Sequence, residues 1–156
     1  MRKSIVAAIL AAAFASTIAA AQTLAPSPVG ATFVVTGSQK APWAQDSFGD
    51  ASAESRALHG RKITFGQTAI SGPQPMACKK PNYERVAVEP EGLFQGGLEA
   101  PASDAAALGF SPGKVPSLLT GCEVDYHFVD PDHALFALDN RIYRIERVRR
   151  RQTRLK

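Results

Sequence analysis

The run from Cys122 to Asn140, CEVDYHFVDPDHALFALDN, gathers carboxylates and imidazoles more densely than any other part of the sequence. Asp125 lies two residues before His127, which places both on one face if the segment is a strand. A carboxylate there can orient and charge an imidazole. Glu123, Asp125 and His127 could also ligate a metal if a neighbouring strand supplied a fourth group. Turn and strand chemistry offers a plainer account. Asp130, Asp132 and Asp139 stand where turns favour aspartate, because the side chain bonds the backbone ahead of it. No HExxH, nucleophile elbow or phosphate loop occurs anywhere in the chain. The expectation is a solvated strand face plus turns, with no catalytic residue, metal or cofactor. If the chain has a reaction, Asp125 and His127 are the residues that would carry it.

The elements that must position these groups are strands. Val124, Tyr126 and Phe128 alternate with Glu123, Asp125 and His127, so the first set faces a core and the second faces solvent. Asp130-Pro131-Asp132-His133 has the order of a type I turn. Ala134, Phe136 and Leu138 line the next strand. Asp139-Asn140 tolerates positive φ and signals a hairpin, after which Ile142 to Val148 closes the set. Upstream, Ala31–Thr36, Arg61–Gly66, Thr68–Ile70 and Asn82–Val88 read as further strands. A helix over Ser103–Leu108 is expected, with Ser103 as N-cap and Gly109 as stop, and a second short turn of helix fits Ser52–Leu58. The fold class is all-β: a small antiparallel barrel or sandwich of six to seven strands with one short helix. Phe65, Phe128 and Phe136 belong to its core.

Residues 1–21 read as a secretory signal peptide. Arg2 and Lys3 precede an apolar run from Ile5 to Phe14, and Ala19-Ala20-Ala21 offers small residues before Gln22. The run is shorter than the ~20 residues that span a bilayer. The formal charge of +4 falls to +2 once Arg2 and Lys3 leave. Residues 22–148 form one domain, and 149–156 a basic tail. Export makes a Cys78–Cys122 disulfide the expected state of the two cysteines, since neither has a second cysteine or a histidine within three residues to build a metal site. Arg149, Arg150, Arg151, Arg154 and Lys156 make an anion-binding arm suited to an anionic envelope surface. Without it they are a solubilising end.

Leu58 to Cys78, LHGRKITFGQTAISGPQPMAC, resembles the early part of META-type domains, which are small exported bacterial β-domains. Ile63-Thr64-Phe65, Ser71-Gly72, Cys78 and an upstream tryptophan, Trp43, fill that pattern. The chain departs from it where Ala77-Cys78-Lys79 replaces Gly-Cys-Asn. The resemblance implies an exported small β-domain and transfers no catalytic residue.

The function expected from these observations is a non-enzymatic binding domain of the cell envelope, periplasmic or secreted and monomeric. Its partner would be an envelope protein or an anionic envelope surface, without nucleic acid. The alternatives are an inhibitor that inserts a loop into a hydrolase cleft and, behind it, a small enzyme using His127 with Asp125. Ligand contacts are expected from Trp43, Met76, Lys79, Lys80 and Tyr83, and from Asp125 and His127. Loops on a rigid β scaffold carry function often. GPQPMACKKPNY and EGLFQGGLE are such loops here. Trp43 either plugs one end of the core or binds.

Overall fold

A computed structural model describes residues 27–44 and 53–149. Residues 1–21, expected to be a signal peptide, and the tail beyond Arg149 lie outside these residues, so Arg150, Arg151, Arg154 and Lys156 do too. Eight strands make one curled antiparallel sheet, a half-barrel: β1 Thr32–Lys40, β2 Lys62–Phe65, β3 Ile70–Ser71, β4 Glu84–Val88, β5 Val115–Leu119, β6 Tyr126–Asp130, β7 His133–Leu138 and β8 Arg141–Arg147. Their order is β3-β2-β1-β8-β7-β6-β5-β4. Each strand thus pairs with a sequence neighbour, β1 pairs with β8, and the edges β3 and β4 are not paired. The helices are α1 Ala53–Leu58 and α2 Pro101–Ala107.

The eight strands exceed the expected six to seven, and α1 falls where a short turn of helix was expected over Ser52–Leu58. The unexpected strand is β5. Its VPSLL sequence follows Ser-Pro-Gly and contains Pro116, which read as a breaker. Pro116 is tolerated because it sits opposite Ala87 on β4 and beyond the stretch that pairs with β6. α2 begins two residues before the expected Ser103 cap, at Pro101, whose missing N–H costs nothing in a first turn. There Asp104 Oδ2 accepts the Ala100 N–H at 2.9 Å. β8 stops at Arg147, and Val148 is exposed rather than part of the closing strand.

The concave interior is filled. Phe33, Phe65, Tyr126, Phe128, Phe136 and Tyr143 are all buried. Their rings meet edge-on between Phe65 and Tyr126 at 4.8 Å and stacked between Phe136 and Tyr143 at 5.1 Å, geometries that add to plain area burial. The Arg147 guanidinium covers Phe33 at 5.0 Å. Met76, expected as a ligand contact, is 2% exposed inside this cluster. An unbranched thioether fills the gap left where the loop after β3 folds inward.

The open seam between the sheet edges is tied in three ways. Cys78 and Cys122 form a disulfide across a 44-residue separation. Ile70 and Cys78 exchange backbone bonds of 2.7 and 2.9 Å. The Tyr83 hydroxyl donates to Gly66 O at 2.9 Å. In the chain-entropy account a loop of that length makes the disulfide worth about 4 kcal/mol.

A second core lies on the convex face. The long β4–β5 connection folds back over β5, β6 and β7, placing Leu93, Phe94, Leu98, Ala105, Leu108 and Phe110 against Val115, Leu135 and Ile142. This cover decides the fate of the outward-facing residues of β6.

Candidate functional site

Most of the Cys122–Asn140 cluster is structural. Asp130 Oδ1 accepts the N–H groups of Asp132 and His133 at 2.8 and 2.9 Å, and its carboxylate meets His133 Nδ1 at 2.8 Å. Slight burial pushes the Asp130 carboxyl up, but these bonds outweigh it and hold it below its ordinary value. Asp139 takes positive φ, +52°, in the β7–β8 hairpin. Asp125 Oδ1 accepts the Thr120 N–H at 2.8 Å and so fixes the β5–β6 loop.

His127 overturns the expectation of a solvated face. It is 4% exposed, because the β4–β5 connection lies over it. The Phe94 N–H donates to Nε2 at 3.2 Å, and the Phe94 ring stands edge-on to the imidazole at 4.8 Å. Nδ1 lies 2.7 Å from Ser117 Oγ, which donates to Val115 O at 3.2 Å. Since Nε2 must accept, the neutral ring carries its proton on Nδ1 and gives it to Ser117. Burial lowers the His127 pKa to about 4, so the ring is neutral at physiological pH. Ser117 and His127 have the composition of a nucleophile and base but the opposite proton order. The base's free lone pair is spent on a backbone N–H, and the serine is buried as well. Asp125 bonds the backbone of its own loop rather than the imidazole.

Phe94 is held in an unusual place. Phe94, Gln95 and Gly96 run consecutively left-handed, at φ 50°, 61° and 80°. Left-handed non-glycine residues cost on the order of 1–3 kcal/mol each and persist only where their surroundings over-determine them. The surroundings here are the His127 bond and the rings of Trp43, at 5.9 Å, and Phe110, at 6.4 Å. Gly97 lets the indole close in, since a Cβ there would meet Trp43 Cε3 at 3.0 Å. Trp43 plugs the end of the convex core and leaves part of its ring exposed.

That exposed part lines a cleft of about 550 Å³. The antiparallel order puts the β1–β2, β3–β4, β5–β6 and β7–β8 connections at one end of the sheet. Three of them meet the β4–β5 connection here. Trp43, Val88, Phe94 and Leu138 supply apolar lining, while Glu123, Asp125 and Asp139 supply carboxylates. A second cleft of about 520 Å³, between Leu58, Arg61 and the Pro73–Pro75 loop, shares Leu138 and Asp139 with the first. Of the expected contact residues, Trp43, Asp125 and His127 come together at the first cleft. Lys79 and Lys80 are exposed on the seam loop, and Tyr83 is bonded across the seam. Arg149 pairs with Asp132 at 2.7 Å beside the β6–β7 turn. Sequence reading named the EGLFQGGLE loop and Glu123 but not the Phe94 bond to His127, and it took Asp139 for a turn residue alone. The paired glycines after Phe94 were the local signal for its unusual backbone.

The Tyr126 hydroxyl is buried with no hydrogen-bond partner among the described residues. Burial first, then Tyr83 and Asp125, raises its pKa. Among the described residues, no three His, Cys, Asp or Glu side chains gather closely enough to hold a metal ion. No helix of these residues is long and apolar enough to cross a membrane. Comparison with protein-family models, with curated proteins and with solved structures gives no match to this chain.

Proposed function

We propose that this chain is a non-catalytic binding domain of the cell envelope, and that it binds a small ligand in the cleft walled by Trp43 and Phe94. The observation that carries the reading is the partly exposed Trp43 ring. It stands over a cleft of about 550 Å³ in which the apolar wall of Trp43, Val88, Phe94 and Leu138 faces Glu123, Asp125 and Asp139. Small-molecule sites have that size and pair an apolar wall with polar groups that orient the ligand. The filled interior of the half-barrel supports the same choice, since a ligand has room at this end rather than inside. The occupied nitrogens of His127 argue against the enzyme reading. The apolar run before Gln22, the cysteine pair and the META-like stretch Leu58–Cys78 support an exported setting.

Trp43 is the only tryptophan, so its emission reports on the cleft directly. Titrating the purified chain with a panel of apolar, cationic and anionic small molecules should give a saturable change for at least one of them. A folded protein whose Trp43 emission answers none of the panel would overturn the reading.

A further inference from the structure

The charge of the cleft narrows the class of ligand. Three carboxylates line it and no Lys or Arg among the described residues does, whereas Arg61 lines the second cleft. His127 is neutral there. Glu123 and Asp139 are exposed and make no ion pair with any described residue, so no described basic side chain offsets their charge at the cleft. The aromatic wall beside them has a negative π face, which attracts cations within about 6 Å of the ring centre. An anion would meet repulsion from both features. A neutral apolar molecule would use only the wall. A compact cation with an apolar surface uses the wall and the carboxylates together, and sheds less hydration than a primary ammonium ion would.

We infer that the cleft takes a small organic cation of the quaternary ammonium class, seated on Trp43 and balanced by Glu123, Asp125 and Asp139. This rests on the binding role proposed above and goes further by fixing the ligand's charge and shape.

Three isosteres of one shape test it: choline as the cation, 3,3-dimethylbutan-1-ol as the neutral form and 3,3-dimethylbutanoate as the anion. Each is titrated into the full chain and into the double variant Glu123→Gln/Asp139→Asn, with Trp43 emission and calorimetry as readouts. Choline should bind at least tenfold more tightly than the alcohol, and the anion should bind least. The double variant should keep its melting temperature and lose most of the preference for choline. Added salt should erode that preference, as screening does for exposed charges. If the alcohol or the anion binds as well as choline, the charge assignment is overturned while the cleft stands as a binding site. If the double variant discriminates as well as the parent chain, the carboxylates are not the selecting groups and the inference falls. If none of the three binds, the inference also falls, and the wider panel alone decides the binding role.

Discussion

His127 links the buried core to pH in a way that can be measured. Its pKa is about 4 in the folded chain, lowered by burial, against about 6.5 in an unfolded one. The unfolded state therefore binds more protons between these values, and stability falls as pH falls. The contribution is complete above about pH 6.5, about 2 kcal/mol smaller by pH 5 and about 3 kcal/mol smaller by pH 4. Protonation also removes the Nε2 lone pair that accepts the Phe94 N–H, so the left-handed turn at Phe94 and Gln95 loses its main tether. The assay is urea unfolding from pH 7.5 to 4, run on the parent chain and on His127→Gln. Glutamine can accept the same bond through its amide oxygen and does not titrate. Subtracting the two curves removes the carboxylates and the other histidines. His127→Ala at pH 7.5 should cost about 2–5 kcal/mol, from the lost ring volume and the stranded Phe94 N–H. A flat difference curve between pH 6.5 and 4, or an alanine cost below about 0.5 kcal/mol, the level of an ordinary surface change, would refute the buried, neutral assignment.

Mass spectrometry of freshly exported protein should show one Cys78–Cys122 crosslinked peptide, no alkylatable thiol and an N-terminus at Gln22. Two free thiols, or an intact leader, would contradict the exported state. Phe136→Ala should cost about 3–5 kcal/mol, since its ring lies between Tyr126 and Tyr143 in the filled interior; a cost near zero would mean that the interior is loosely packed. Truncation after Val148 should leave the melting temperature unchanged, because the last sheet-side bond, Val148 N–H to Thr32 O at 2.8 Å, is retained. The same truncation should abolish salt-sensitive binding to anionic vesicles if residues 149–156 act as an anion-binding arm, with each exposed charge worth about 1 kcal/mol near such a surface. Equal vesicle binding by the two chains would dismiss the arm.

The alternation of Val124, Tyr126 and Phe128, and of Ala134 and Phe136, was enough by itself to define β6 and β7 and their inner faces, because a strand repeats every two residues whatever surrounds it. The β6–β7 turn was equally local, since the Asp130 side chain bonds backbone within three residues. The pairing of the two cysteines followed from the expectation of export and the lack of any nearby ligand set. Tertiary structure decided everything that depended on what lies opposite. Period two shows that Asp125 and His127 share a face but not whether that face is covered. The cover came from a connection whose 3-10 and left-handed turns have no period to read. Met76 became core because a proline-rich loop turned inward. β5 became a strand because β4 and β6 offered it partners on both sides, which outweighed the proline in its own sequence. The cleft exists because the sheet order brings Trp43, Asp125 and Asp139 to one end across nearly a hundred residues of chain, a proximity that no local pattern encodes.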